Sequence, residues 1–406
     1  MARLALPFLD AVSESDEHGS PQQALIRPWK AYWPPEKGGE LHRLLDQTCP
    51  EVLTWRFCSD RPFDKPWQKW SKQAILRGKN CTSQVIPPNA VHGDAINYGN
   101  DEEDGGLIVD ENHCGSCQDR VIGSQTIDKI VTDLGLRAVK LAQFNYLSPS
   151  TLANSVKPFH TRLPFLGQIK RSNIVAQAYS DINVFDIHGH EDRFTLSTSG
   201  FQIVRVSKHC DHWTDESVRK LYLPAMSTWL QEFFTCRKVI IYTYTFRCAD
   251  QDRTATEPWV GPYMRAHCDV TLNSGLRRLD LHVPGEAEEI RKGRFRFIGV
   301  WRPLTTPYQD RPLAMLDQRS FCQKDLIAAD IVFPHYCDEG YEVLYSPYHR
   351  WFYKQQMDTD EVIMFKLYDS SLDEGRFCPH SAFVDPSVPP DTPPRASIEF
   401  RALLVD

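Results

Sequence analysis

A chain of 406 residues with 41% hydrophobic and 11% aromatic side chains can bury a large core, as one large domain or two. Its formal net charge of −7 gives no general pull toward nucleic acid or an anionic membrane, so neither is expected as a partner. No run approaches 18 apolar residues, and the start, "MARLALPFLDAVSESDE", is a poor secretory signal, so a cytoplasmic protein is expected.

Residues 1–135 carry mixed charge, proline pairs ("WPPEK", "IPPNA") and the acidic glycine run "NDEEDGG". Hydrophobic periodicity is short-lived there, apart from a helix-like piece at 126–136. This part reads as a loosely packed, partly disordered N-terminal extension. Its one tight ligand group, His113, Cys114 and Cys117, lacks a second ligand pair and reads as a loop. The twelve cysteines are scattered, without a secretion signal, and read as reduced thiols.

From residue 136 the signals strengthen. "AVKLAQFNYLS" and "DINVFDIHG" read as strands. "TDESVRKLYLPAMSTWLQEFF" is a helix capped by Thr214, with apolar positions from Val218 to Phe233 and an interruption at Pro224. "KVIIYTYTFR", "YMRAHCDVTL", "FRFIGVWRPL", "DLIAADIVF", "EVLYSPY", "HRWFY", "DEVIMFKLYD" and "ASIEFRALLV" follow as strands. Seven or eight strands after one helical block predict a mainly β fold, a barrel or jelly roll with flanking helices. A parallel α/β sheet would need helices between most strands.

Four His-x-Asp pairs occur, where roughly two His-x-acid pairs of either kind are expected by chance at this composition. His92/Asp94, His190/Asp192 and His209/Asp211 fall in turn-rich polar segments and read as surface loops. His267/Asp269 differs, because its segment alternates. Tyr263, Arg265, His267, Asp269 and Thr271 share one strand face, so imidazole and carboxylate project together. Two histidines and one carboxylate on one face of an iron leave three positions open. A third ligand comes from His380 in "GRFCPHSAF" or, as its rival, from His349 in "PYHRWFY". On the last strand Arg395, Ser397, Glu399 and Arg401 share a face. A guanidinium with a hydroxyl two residues on makes a fork for a carboxylate, so Arg395 and Ser397 suit a dicarboxylic co-substrate, with Arg401 the fallback. Arg302 and Arg319 read as structural ion-pair residues or substrate contacts. Tyr368 could line the pocket or belong to the core, and Trp259, Trp301 and Trp351 read as core or pocket wall.

The order His-x-Asp, distant His, Arg-x-Ser resembles that of iron(II)/2-oxoglutarate-dependent oxygenases. More narrowly, the chain from about residue 136 resembles the fungal hydroxylase/desaturase family of secondary metabolism, which includes aspergillic-acid hydroxylase-like and gibberellin desaturase-like proteins. The stretches that carry the resemblance are "EDRFTLSTSGFQIV" (191–204), "HCD" (267–269), "HVPGEAEEIRKGRFRFIGVWRPL" (282–304), "PLAMLDQRS" (312–320), "HRWFY" (349–353) and "HSAFVDPSVPPDTPPRASIEFRAL" (380–403). The resemblance implies a double-stranded β-helix domain over 136–406, with Fe(II), 2-oxoglutarate and O2 acting on a small molecule. It maps His267, Asp269 and His380 onto the metal triad, Arg395 onto the co-substrate anchor, and Ser397 beside it. The 14 residues between His380 and Arg395 exceed the spacing in many oxygenases, and the proline-rich loop would take up the excess. Two other classes fit the sequence less well. A non-catalytic cupin-like binding protein would not need the triad and the Arg-x-Ser strand together. A methyltransferase would show a glycine-rich turn in an alternating α/β pattern, and the sequence has neither.

Overall fold

The computed structural model describes residues 117–406, except 154–155, 163–169, 209, 211, 251, 253, 255–258, 306–308, 334–336, 372–374 and 390. The expectations for residues 1–116, for His92/Asp94, for His113 and Cys114, and for His209/Asp211 therefore lie outside the described residues.

Fourteen strands, numbered in chain order, occur among the described residues and build two facing sheets. The larger runs β1 (Arg137–Leu147), β3 (Ala176–Asp186), β11 (Trp351–Tyr353), β8 (Leu313–Leu316), β13 (His380–Ala382), β6 (His267–Cys268), β10 (Cys337–Val343), β9 (Leu326–Val332), β2 (Phe159–Thr161). The smaller runs β4 (Phe201–Arg205), β12 (Glu361–Asp369), β7 (Phe295–Pro303), β14 (Ala396–Val405), β5 (Lys238–Cys248). Most pairings are antiparallel and most join strands distant in sequence, the jelly-roll arrangement.

The smaller sheet shows how the pattern makes the layers. Ile398, Phe400 and Ala402 of β14 pack with Ile298, Val300 and Met364 on its outer face, against a helix. Alternate residues therefore face the interior between the sheets, where Phe297, Trp301, Phe365 and Leu403 join the main core. The covering helix buries Val218, Tyr222, Met226 and Leu230, four positions one turn apart. Thr214 caps it as expected. The interruption at Pro224 takes a defined form: a single π turn, Val218–Tyr222, closed by the Leu223 N–H donating to the Val218 carbonyl. Proline has no N–H and crowds the carbonyl four residues back, and the wider turn accommodates both effects.

A helix ahead of β1, α1 (Cys117–Leu134), packs on the same body. Ile127 is fully buried in the main core. Arg120 pairs with Asp325 at 2.6 Å, and the Ser124 hydroxyl donates to the Tyr348 carbonyl.

One expectation is corrected. Residues 263–272 do not run as a single strand. Pairing is confined to β6 and to a bridge from Asn145 to Arg265, and the chain then turns into an unforeseen helix, α2 (Leu272–His282). Thr271 caps that helix by accepting from the Ser274 N–H, and Arg278 and Leu279 are buried along it.

Candidate metal centre and co-substrate site

β6 and β13 are neighbours, and His267 stands directly opposite His380. The two rings lie 4.3 Å apart between centroids. Asp269 follows where the chain leaves β6, and Gly340 of β10 lets this backbone close in. A Cβ at 340 would stand 2.9 Å from the Cys268 carbonyl oxygen. One ligand atom each from His267, Asp269 and His380 lie within 4.8 Å of one another. The His267 Nε2 is 3.6 Å from Asp269 Oδ1, and the His380 Nε2 is 3.6 Å from Asp269 Oδ2.

Both imidazoles are oriented from behind. His267 Nδ1 meets the Arg265 carbonyl at 2.8 Å, and His380 Nδ1 meets the Cys378 carbonyl at 3.1 Å. A carbonyl can only accept, so each proton sits on Nδ1 and each Nε2 lone pair faces the other ligands. Burial, reinforced by the neighbouring His267, pushes His380 down to about 4, so its ring is neutral, the form that ligates. Burial alone would raise the Asp269 carboxyl. The charge of Arg401 outweighs it and holds the group well below the usual carboxylate range.

This donor set fits a divalent iron. The Asp269 Oδ2 is buried and without a hydrogen-bond partner among the described residues, an orphan acceptor 3.6 Å from the His380 Nε2.

The rival His349 lies elsewhere. Its Nδ1 faces the Tyr146 hydroxyl at 3.3 Å and its Nε2 faces Asp325 at 3.4 Å, so both nitrogens are occupied in the core. Arg302 is buried and donates to the Thr359 and Val206 carbonyls; Arg319 pairs with Asp317. Both are structural. Tyr368 packs against Gly275 of α2 and on Phe295, a core position. Trp259 stacks on Phe246, and Trp351 donates to the Tyr146 hydroxyl. His190 and Asp192 sit in and beside a single turn, Glu191–Arg193.

Arg395 precedes β14 and is 1% exposed. It donates to the Arg311 carbonyl at 2.5 Å and lies over the Trp301 ring, 5.5 Å from its centroid. Among the described residues no carboxylate stands at ion-pair distance. Its Nε and the Ser397 hydroxyl are both buried without partners. Burial, together with the nearby Arg247 charge, pushes the guanidinium down to about 9. A buried cation and hydroxyl left open together fit a carboxylate ligand. Arg247 of β5, a residue the sequence reading did not single out, stands directly opposite Ser397. The alternation along "KVIIYTYTFR" places it on that face. Arg401 lies six residues on, against Asp269 and Glu399.

A β-rich jelly roll that gathers two imidazoles and a carboxylate inside its sheets defines the class of non-haem iron oxygenases. Residues 144–405 match the family described as oxidoreductase/YMDC permease-like domain. The chain is 29% identical over 244 residues to a hydroxylase/desaturase of Hormonema carpetanum, covering 54% of this chain and 82% of that one. It is 28% identical over 222 residues to an alpha-ketoglutarate-dependent dioxygenase of a fungal species, covering 52% and 79%. An iron and alpha-ketoglutarate-dependent endoperoxidase shares the fold, with a TM-score of 0.57, 24% identity, and 65% of this chain and 97% of that one covered. The chain belongs to this oxidoreductase family and is an enzyme of the iron(II)/2-oxoglutarate-dependent class.

Proposed function

We propose that the protein is a hydroxylase or desaturase acting on a small-molecule intermediate of a fungal secondary-metabolite pathway, with iron(II) held by His267, Asp269 and His380 and 2-oxoglutarate anchored by Arg395 and Ser397. The observation that carries this reading is the convergence of the three ligand atoms within 4.8 Å, with the Asp269 Oδ2 left unpartnered. When bound, iron with 2-oxoglutarate and O2 supplies oxidation of an unactivated C–H bond coupled to decarboxylation of the co-substrate to succinate and CO2. The chain's own residues do the rest. The Arg265 and Cys378 carbonyls fix which nitrogen of each imidazole faces inward. Arg395 and Ser397 fix the far carboxylate of the co-substrate and so its direction of entry. Trp301 and Phe365 wall the interior and exclude water from it.

The test is succinate release by the full chain with iron(II), ascorbate and 2-oxoglutarate. Wild type is expected to release succinate, and His267→Ala is expected to release none while keeping its circular dichroism. Full turnover by His267→Ala would refute the assignment.

A further inference from the structure

We propose that Arg401 is a positioning residue for the metal centre, holding Asp269 by one oxygen so that the other is presented to the ion. The inference rests on the triad reading above.

The Arg401 Nη2 donates to Asp269 Oδ1 at 2.8 Å, across 132 residues of sequence. The same guanidinium is held in place by Glu399, its Nε and Nη2 each 3.3 Å from Oε1. Asp269 thus has one oxygen committed and one buried and unpartnered. A carboxylate free to turn about its last bond presents either oxygen or both. Tied at Oδ1, which lies 3.6 Å from the His267 Nε2, the carboxylate keeps Oδ2, 3.6 Å from the His380 Nε2, as its one oxygen without a partner, and that is the oxygen left for the ion. The rigid planar fork of arginine can meet Glu399 and Asp269 together, whereas a lysine ammonium is a single point on a flexible stem. Its commitments to Asp269 and Glu399 separate Arg401 from Arg395, whose Nε has no partner among the described residues.

The experiment titrates Co(II) into metal-free protein and follows its visible absorption, for wild type, Arg401→Gln and Arg401→Lys. The affinity for 2-oxoglutarate is then measured at saturating Co(II). Arg401→Gln is expected to weaken Co(II) binding by roughly 10- to 100-fold and to alter the band intensities, with Arg401→Lys between it and wild type. Once the metal is saturating, 2-oxoglutarate affinity is expected to be unchanged. Wild-type Co(II) affinity in Arg401→Gln overturns the proposal. So does wild-type metal affinity with weakened 2-oxoglutarate binding, which would assign Arg401 to the co-substrate. Should Arg401→Gln fail to fold, Arg401→Lys decides: intermediate affinity supports the proposal, and wild-type affinity overturns it. If wild type itself takes up no Co(II), the triad assignment falls, and this inference with it.

Discussion

Two histidines competed in the sequence for one ligand position, and their surroundings separate them. His380 has one nitrogen on a carbonyl and the other facing His267 and Asp269. His349 has a partner at each nitrogen, and burial lowers its pKa despite Asp325. Its hydrogen bond to Asp325, which also pairs with Arg120, ties the core to α1. His380→Ala is therefore expected to remove stoichiometric metal binding with the fold retained. His349→Ala is expected to keep one metal per chain while costing about 1–3 kcal/mol, because it strips a partner from a buried carboxylate. Metal analysis together with thermal melts checks both. Equal loss of metal in the two variants would contradict the ligand assignment. The candidate triad could be proposed from sequence because His267 and Asp269 lie two residues apart in an alternating segment, and because His380 is followed by the Arg-x-Ser pattern that opens the last strand. The Arg401–Asp269 contact could not, since no local pattern encodes a pairing across 132 residues.

Among the elements, long strands were easy to read and short ones were not. β5 and β14 run for 11 and 10 residues, the first rich in β-branched and aromatic side chains and the second alternating in its first half, and their sequences announce them. β6 has two residues and stays paired only because β10 and β13 flank it. The alternation of 263–272 then misled, because the last positions belong to a helix start. The signal was present: Thr271-x-x-Ser274 repeats the capping arrangement of Thr214-x-x-Ser217. This corner is held by a strap. Lys157 pairs with Asp330 of β9 and Glu339 of β10, and the Thr271 hydroxyl donates to Glu339. Although burial opposes it, Lys157 and then Thr271 bring Glu339 down from 4.5 to about 2. The folded pKa lies below the unfolded one, so this stabilisation is complete above pH 4.5 and is lost as pH falls toward 2. It amounts to about 3 kcal/mol at most, less for the partial exposure of Lys157. Glu339→Gln is expected to lower stability near neutral pH by up to that amount, with the gap to wild type closing between pH 4.5 and 2. Melts across that range would show it, and a gap independent of pH would contradict the ion-pair origin.

For the molecule as a whole, the strand pattern predicted a mainly β barrel or jelly roll with flanking helices, and the solved relative shares the jelly-roll fold found here. The composition change near residue 136 marks where strong strand patterning begins, yet α1 lies before it and shares the core through Ile127. A docked helix of mixed polarity, with one fully buried apolar residue among charged neighbours, carries little periodic signal. No described helix is long and apolar enough to cross a membrane. The two ends of the site depend on this assembly. The proposed metal ligands come from strands of the larger sheet and from the turn after β6, while Arg395 and Ser397, proposed to anchor the co-substrate, come from the residue before β14 and from β14 itself, in the smaller sheet. Facing sheets bring them to one interior. An anaerobic titration of iron(II) with 2-oxoglutarate, followed by the visible absorbance of the chelate, reads that convergence in one signal. One equivalent of iron per chain is expected to develop the absorbance only when 2-oxoglutarate is present, and Asp269→Ala is expected to abolish it. Absence of the signal in wild type, or its persistence at full strength in Asp269→Ala, would contradict an iron and co-substrate site at these residues.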